Sequence, residues 1–421
     1  MPINRKAGRM KIPYGVSNFA ELVVGGYYYL DRTQFIEEIE ALSAPYLIYL
    51  RPRRFGKSLF VSMLQCYYGY EYQSSFNQLF GQYYIGKHPT KLANQYWVIR
   101  LNFSRIHTDT YGDSYQGFLA KVKEGIERFR MAYAEAFAKV DWGFIEGMSS
   151  PETLLGRFLN VVAGHPSKRK LYVLVDEYDH FANEIFAFDQ RRFKETIMGN
   201  GFVRKFYEGL KEGTEFIIER IFITGVTPMT LDGLTSGFNI GSDISRTPRF
   251  HNMMGFKREE VMTMMHTLGV EEEQLERVMD DLRFWYNGYQ FEGGAKEKLY
   301  NPDMLLYFAN QYLTNGQYPE RLLDTNIATD YGKLRSLVQM EGRTKVHQNL
   351  IEELIQEGSI LGVLNQGLTF KKNFSEDDFI SSLYYMGMLS MKNHLGIVKR
   401  FHVPNSVVDK LYRDCLKELL N

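Results

Sequence analysis

The first half of the chain contains four short, nearly continuous apolar segments that alternate with longer amphipathic stretches. The apolar segments occupy residues 45–50, 96–103, 170–176 and 220–225. Continuous apolar runs of this length are typical of strands that are buried on both faces of a parallel sheet. Strand, long crossover and strand again is the pattern of an α/β domain. We therefore predict an α/β domain over residues 1–254, with a parallel sheet and flanking helices.

The pattern of apolar positions changes after residue 254. Apolar residues recur at helical spacing over 261–268 and again over 275–282, which predicts two amphipathic helices. We interpret residues 255–342 as a helical lid subdomain. Further helical stripes and two apolar stretches around a turn at residues 392–396 follow. Helices followed by a hairpin favour a small winged-helix domain over residues 343–421.

Composition narrows the class of protein. The chain has 421 residues, and its 50 Lys and Arg balance 50 Asp and Glu, so the net charge is zero. A protein devoted to nucleic acid is usually more basic. The two cysteines, Cys66 and Cys415, are far apart in the sequence and indicate neither a disulfide framework nor a zinc site. The N-terminus lacks the apolar core of a signal peptide, and the apolar runs are too short to span a membrane. We predict a soluble, cytoplasmic protein with no membrane partner.

A Gly-Lys-Ser triplet lies between the first apolar segment and a helical stretch. Strand, loop and helix are the context of the phosphate-binding loop GxxxxGK[ST], where N–H groups at the helix N-terminus hold phosphate. Lys57 would neutralise the β- and γ-phosphates, and the Ser58 hydroxyl would hold Mg²⁺. Arg51 replaces the first glycine of the pattern, and Pro52 could shape the bend instead. The alternative interpretation is a chance triplet.

The third apolar segment ends in Asp176 and Glu177, which is the pattern of a Walker B strand. Asp176 would hold Mg²⁺ through water, and Glu177 would orient and deprotonate the attacking water. Thr224, near the end of the fourth segment, is a candidate sensor of the γ-phosphate. The alternatives are an acidic surface turn and an ordinary strand-end threonine. Because both motifs stand in their expected contexts, together they favour a nucleotide site.

Eight motifs occur in an order that is specific to one family. They are "KIPYGVSNFAELVVGGYYYLDRTQFIEEIE", "RPRRFGKSLF", "VLVDEYD", "ITGVTPM", "GFKREEV", "WYNGYQF", "LYNPDML" and "SLYYMGMLS…VPN". Over nearly the whole chain they resemble the bacterial predicted AAA-ATPase-like family, which is related to the archaeal-type ATPases of the STAND group of P-loop proteins. The family's own loop is similar to RPRRFGKS, so the resemblance implies that Arg51 is a family trait.

The resemblance implies a P-loop NTPase fold with an ASCE-type parallel sheet, in which the Walker B strand lies beside the phosphate-loop strand. It implies ATP and Mg²⁺ as cofactors and places the Asp31-Arg32-Thr33 motif near the base of the nucleotide. We predict Glu177, Lys57 and Thr224 as catalytic residues and Ser58 and Asp176 as metal ligands. The predicted nucleotide contacts are Asp31, Arg53, Arg54, Phe55, Gly56, Lys57, Ser58 and Leu59.

The leading functional hypothesis is a Mg²⁺-dependent ATPase that acts as a nucleotide-driven switch or motor. One alternative is a regulatory protein that holds ATP or ADP with little turnover. Another is a DNA- or protein-binding module that acts through the winged helix, where Lys392, Lys399 and Arg400 lie near the hairpin. Arg53 or Arg54 could also complete the site of a neighbouring subunit, which would require self-association.

Members of the resembled family commonly continue into a PD-(D/E)XK nuclease domain. This chain has no strand-borne Asp followed by an ExK strand. The sequence therefore carries no motif from which nuclease activity would be predicted.

Overall fold

The computed structural model describes residues 11–182, 185, 193, 195–196, 201–228, 238–323, 333–339, 343–365, 367 and 374–420. Its centre is a parallel sheet of five strands: β1 (Tyr46–Leu50), β2 (Trp97–Asn102), β3 (Leu171–Asp176), β4 (Ile218–Gly225) and β5 (Ser242–Asp243). The first four are the strands that the apolar runs predict. The α/β class and the parallel sheet are therefore confirmed.

The strand order β2-β3-β4-β1-β5 corrects one expectation. β4 pairs with β1 on one side and with β3 on the other, so the strand that ends at Asp176 is not beside the phosphate-loop strand. The ASCE-type arrangement is kept, because β4 is the additional strand between the two motif strands. Parallel strands end at one edge of a sheet, and ligands of open α/β sheets bind outside that carboxyl edge. The two motifs therefore still face the same crevice.

Helices cover both faces of the sheet. They are α1 (Phe19–Val24), α2 (Gln34–Glu40), α3 (Lys57–Tyr68), α4 (Phe76–Phe80), α5 (Tyr84–Lys87), α6 (Tyr111–Ala132), α7 (Phe144–Gly147), α8 (Pro151–Ala163) and α9 (Phe202–Gly213). Leu47 and Tyr49 of β1 pack in the core on the α3 side, whereas Ile48 and Leu50 pack in the core that contains α6, α8 and α9. Both faces are buried, which explains why the strand reads as a continuous apolar run.

A separate apolar core holds the helices that follow residue 254. They are α10 (Arg258–Thr267), α11 (Glu272–Tyr286) and α12 (Pro302–Asn315). The predicted stripes are buried as expected, and Ile12 from the N-terminal segment joins the same cluster. None of the described helices is long and apolar enough to cross a membrane.

The C-terminal part combines helices with a small antiparallel sheet. Its elements are α13 (Lys333–Val338), α14 (Thr344–Glu357), β6 (Ile360–Val363), α15 (Glu376–Tyr385), β7 (Ser390–Leu395), β8 (Val398–His402) and α16 (Ser406–Leu420), with sheet order β6-β8-β7. The predicted hairpin is present, but its turn is not at residues 392–396. Pairing continues to Leu395 opposite Val398, so the turn is Gly396-Ile397, with Gly396 at φ 71°. The winged-helix assignment and the domain boundaries stay predictions, and the boundary at residue 342 lies outside the described residues.

Candidate nucleotide-binding site

The phosphate loop connects β1 to α3 and contains two left-handed residues. Gly56 has φ 90°, as the second glycine of the motif requires, and Arg54 has φ 66°. Arg51 is not among the residues with positive φ in the described chain. The bend therefore falls three residues later than the missing first glycine. An arginine can occupy position 51 because its backbone there needs no glycine.

Arg51 is instead the structural centre of the loop. Its side chain is buried, and its guanidinium donates to the carbonyl oxygens of Leu50, Ser245, Phe250 and His251 at 2.7–3.2 Å. The same guanidinium lies 4.2 Å from the centroid of the Tyr49 ring and 4.3 Å from that of the Phe291 ring. Burial lowers the pKa of Arg51. Planar donors and stacking surfaces are what an arginine offers and a lysine does not.

Lys57 begins α3 and is buried beneath the loop. Its ammonium donates to the carbonyl oxygens of Arg51 and Pro52, each at 3.0 Å. Burial lowers the pKa of Lys57, and the nearby carboxylates of Glu177, Asp179 and Asp176 oppose that effect. The loop carbonyls therefore hold this cation at the end of the cavity where α3 begins.

Asp176 ends β3, is fully buried and has three side-chain partners. Its Oδ2 accepts from Arg100 at 2.8 Å and from Asn102 at 3.3 Å, and its Oδ1 accepts from the Thr224 hydroxyl at 2.9 Å. The predicted sensor Thr224 therefore contacts the predicted metal ligand Asp176. Sequence reasoning missed Arg100. The available signal was two polar residues at a spacing of two, Arg100 and Asn102, inside the apolar run of β2.

Glu177 follows β3 in a left-handed conformation, with φ 55°. A positive φ is uncommon for a residue with a side chain, and such conformations cluster at functional sites. Glu177 lines the cavity next to the phosphate loop. Burial raises its pKa, Lys57 and Arg53 lower it, and the carboxylates of Asp176 and Asp179 raise it further. A raised pKa suits a carboxylate that accepts a proton near neutral pH.

Asp179 secures the segment after β4 and was not singled out in the sequence. Its carboxylate accepts from the backbone N–H groups of Val226 and Thr227 and from the Thr227 hydroxyl, at 2.7–3.2 Å. Buried carboxylates with several such partners are rigid. The end of β4, which carries Thr224, is thereby fixed beside the end of β3.

A cavity of about 340 Å³ opens at the phosphate loop. One side is polar and is lined by Arg54, Gly56, Lys57, Ser58 and Glu177. The remaining lining comes from three other segments and is mostly apolar: Pro13, Val16, Leu22, Tyr28, Tyr29 and Leu30; Met253, Met254 and Phe256; and Pro302 and Leu306. The same segments also contribute the charged side chains of Arg32 and Asp303. The volume lies in the range of small-molecule sites, which are mostly apolar with a few polar groups. Charged groups beside the phosphate loop and a mostly apolar remainder suit the phosphates and base of a nucleotide.

Of the Asp31-Arg32-Thr33 motif, Arg32 is the residue that lines the cavity among those that the structure describes. Asp31 is not among the described lining residues, because its carboxylate caps the motif by accepting from Thr33 and from the backbone N–H of Tyr84. Arg32 lines the cavity and forms a bidentate pair with Glu260 at 2.6 and 2.8 Å, and it donates to the Gly255 carbonyl. The nucleotide contact predicted for Asp31 stays a prediction.

The remaining loop residues divide by position. Phe55 and Leu59 line the cavity, and Phe55 packs edge-on against Tyr289 and Phe291. Arg54 also lines the cavity, and its Nη1 lies 3.8 Å from Oδ2 of Asp303 at the start of α12. Arg53 is not among the described lining residues, although its charge acts on Lys57 and Glu177.

The donor set fits Mg²⁺ when phosphate oxygens complete it. Mg²⁺ keeps several waters and takes one or two carboxylates besides the phosphates of its substrate. The Ser58 hydroxyl and the Glu177 carboxylate line the cavity, whereas Asp176 is not among the described lining residues. Within the part of the chain that the structure describes, no cluster of three or more His, Cys, Asp or Glu can hold a metal ion. The protein groups alone therefore make an incomplete site.

The loop, the strand order and the cavity define a P-loop nucleotide-binding protein. A family model described as "Predicted AAA-ATPase" matches residues 13–235, just over half of the chain. The chain belongs to this predicted AAA-ATPase family, and nucleotide binding by an ATPase is the activity that the family implies.

The chain is also similar, at lower identity, to an individual curated protein. A curated protein of Azotobacter chroococcum mcd 1, "Uncharacterized protein in vnfD 5'region", is 27% identical over 304 residues, which are 71% of this chain and 52% of that protein. The chain thus spans about half the length of this relative.

Two solved structures are also similar. The Walker-type ATPase PABY2304 of Pyrococcus abyssi has a TM-score of 0.49 and 13% identity, with 91% of this chain and 94% of that chain covered. A chain of the structure of Drosophila ORC bound to DNA has a TM-score of 0.29 and 10% identity, with 99% and 89% covered. We infer nothing about function from these two likenesses.

Proposed function

We propose that the chain is a Mg²⁺-dependent ATPase that uses nucleotide turnover to switch the arrangement of its C-terminal part. The observation that carries this proposal is the convergence of Lys57, Ser58 and Glu177 on one cavity at the carboxyl edge of the sheet. A buried cation, a hydroxyl at a helix N-terminus and a carboxylate with a raised pKa are the groups that phosphoryl transfer to water needs.

Each residue has a distinct role in the proposed reaction. The N–H groups at the start of α3 and the Lys57 ammonium bind and neutralise the phosphates. Glu177 accepts a proton from the attacking water and orients it. Mg²⁺, held by Ser58 and through water by Asp176, would supply charge neutralisation at the phosphate oxygens. Thr224 positions Asp176 through its hydrogen bond at 2.9 Å.

The switch part of the proposal is supported by contacts between the loop and later segments. Phe55 packs on Tyr289 and Phe291. A methyl group built on Gly387 would lie 2.8 Å from Cβ of Pro52, so the backbone at Gly387 packs against the Pro52 ring. A phosphate loop that moves on binding nucleotide would therefore push on the segment between α15 and β7. Packed interfaces respond to such shifts by changing between discrete arrangements.

The test separates nucleotide binding from hydrolysis. Lys57→Ala should weaken ATP binding by about a hundredfold or more, because a buried charge-assisted contact to phosphate is lost. Glu177→Gln should keep ATP binding and lower turnover by about a hundredfold or more, because only the water needs a base. Calorimetry measures binding and phosphate release measures turnover. Lys121→Ala and Glu259→Gln, on α6 and α10, are matched controls with expected wild-type behaviour.

Two results would redirect the proposal. Wild-type ATP affinity in folded Lys57→Ala would refute the nucleotide site. Tight ATP binding with negligible turnover in both the wild type and Glu177→Gln would favour the regulatory alternative, a protein that holds nucleotide without using it.

Binding of DNA through the hairpin is a second candidate function. Ile397 at the hairpin tip is 79% exposed. Lys392 on β7 and Arg400 on β8 are exposed, and Lys399 on β8 is half-buried. Cations along a hairpin suit a phosphate backbone, and such binding weakens steeply with salt. The measurement is DNA affinity against salt concentration. Removing three phosphate contacts by alanine substitution of these cations should reduce the slope by roughly three units. An unchanged slope would exclude the hairpin.

A further inference from the structure

Arg100 places a positive charge directly on the predicted metal ligand. Its Nη2 lies 2.8 Å from Oδ2 of Asp176 and 3.3 Å from the carbonyl oxygen of Ser58. The strand register explains the contact, because Arg100 and Asn102 of β2 stand opposite Leu174 and Asp176 of β3. Arg100 therefore ties the end of the Walker B strand to the first turn of α3, where the second predicted metal ligand lies.

The carboxylate of Asp176 is nearly saturated with donors. An ionised carboxylate offers about four lone-pair positions. Arg100 and Asn102 occupy Oδ2, and Thr224 occupies Oδ1. The carboxylate is fully buried, so water does not supply further partners from bulk solvent. A water bound to a metal ion would have to use the remaining position or displace one of these donors.

The neighbouring carboxylates also have balancing groups. The Glu177 carboxyl has the charges of Lys57 and Arg53 close enough to act on it, as well as those of Asp176 and Asp179. Asp179 accepts from the backbone at Val226 and Thr227. Within the part of this edge that the structure describes, Asp176 and Glu177 thus each have a cation nearby, and Asp179 has backbone donors. A divalent ion that approached alone would meet little uncompensated negative charge.

We propose that Arg100 is a positioning residue that acts as a resident counter-ion for Asp176, so that the nucleotide-free protein has no usable divalent-cation site. The site becomes usable only when nucleotide phosphates add negative charge and oxygen ligands. The metal then enters with the nucleotide or after it, never before. This inference rests on the proposed ATPase function, and it adds an order of binding to it.

The order has a consequence for the Arg100 side chain. With 21% of its side chain exposed, Arg100 is less confined than the buried carboxylate that it holds. A phosphate group near Ser58 would offer the guanidinium a second anionic partner of the kind that arginine binds well. Arg100 can therefore keep an anionic partner when the Asp176 carboxylate interacts with the metal ion or its bound water.

The experiment measures Mn²⁺ binding to the nucleotide-free protein by electron paramagnetic resonance, which needs no catalytic activity. The wild type should show no saturable site below about millimolar Mn²⁺. Arg100→Gln, which removes the counter-ion, should bind one Mn²⁺ about tenfold tighter or more. Arg100→Lys keeps a cation and should resemble the wild type. The double variant Arg100→Gln/Asp176→Asn should lose the new site, because the freed carboxylate is gone.

Two outcomes would overturn the inference. One is a tight Mn²⁺ site in the nucleotide-free wild type that Asp176→Asn abolishes, a result that does not require Arg100→Gln to fold. The other is a folded Arg100→Gln protein, with a wild-type melting profile, whose Mn²⁺ affinity is unchanged. ATP binding in EDTA, compared between the wild type and Lys57→Ala, reports on the proposed nucleotide site independently of either result.

Discussion

Restoring the missing glycine of the phosphate loop should damage the protein. The substitution Arg51→Gly recreates the full GxxxxGKS pattern, and a comparison of motifs alone would expect an equal or better loop. The structure predicts the opposite, because Arg51 needs no positive φ and its guanidinium bonds four carbonyl oxygens.

The expected loss can be worked out contact by contact. The Phe250 carbonyl also accepts from the Tyr49 hydroxyl, so the loss falls mainly on the carbonyls of Leu50, Ser245 and His251. Three buried acceptors without this donor cost about 3 kcal/mol. Loss of stacking on two rings adds about 1 kcal/mol, and glycine entropy adds roughly 0.5 to 1 kcal/mol. Relief of the buried charge offsets part of this sum. The net destabilisation should be about 4 kcal/mol.

Urea unfolding with a tryptophan or far-ultraviolet signal measures this effect. With a slope near 3 kcal/mol per molar urea, the midpoint of the first transition should fall by roughly 1 M. Arg53→Gly is the matched control, because it makes the same change two residues later in the same loop, where the side chain is half-buried. A midpoint for Arg51→Gly equal to or above that of Arg53→Gly would refute the reasoning.

Three further outcomes are expected. Burial raises the pKa of Glu71 to about 7 from 4.5, so the folded state holds a proton that the unfolded state releases between those pH values. The free energy of unfolding should therefore fall as pH rises from 4.5 to about 7. Glu71→Gln should reduce this pH dependence in urea melts. Gly387→Ala should weaken nucleotide binding, because its methyl group meets Pro52, whereas Gly358→Ala, at a similar positive φ but in open space, should change only stability. A mixture of Arg54→Ala protein and Lys57→Ala protein should regain ATP turnover only if Arg54 acts on a neighbouring subunit. Because Arg54 lies near Asp303 of its own chain, we expect the mixture to stay inactive.

The strands of the sheet were predictable because the apolar pattern that marks each strand lies within a short segment of the sequence. Residues 47–50 and 171–175 are apolar and buried, and each segment is followed directly by residues of the expected motif. The order of the strands was not predictable in the same way. Nothing within the segment 220–225 says that it pairs with both motif strands, since pairing depends on the packing of distant helices. The expectation that the two motif strands are neighbours was therefore wrong.

The site residues were predictable where they belong to a sequence motif. They were not predictable where their role depends on a partner that is distant in sequence. Lys57, Ser58 and Glu177 stand in fixed positions of motifs, and the structure brings them to one cavity. Whether they act as predicted stays a prediction. Arg100 belongs to no motif, and its role appears only once β2 is placed beside β3. The pairing of Arg32 was not predictable for a similar reason, because its partner Glu260 lies in α10.

The unusual sequence of the loop has a single physical explanation. A glycine at position 51 serves a loop that only has to turn tightly. Here the same position joins β1 to the segment at residues 245–251 and to Phe291, while the next residue, Pro52, touches Gly387. The Tyr384 hydroxyl of α15 donates to the Phe291 carbonyl and extends the connection into the C-terminal part. A buried arginine suits this junction because its planar guanidinium can satisfy several carbonyls and two rings at once. The departure from the motif is thus the same feature that connects the nucleotide cavity to the elements proposed to move.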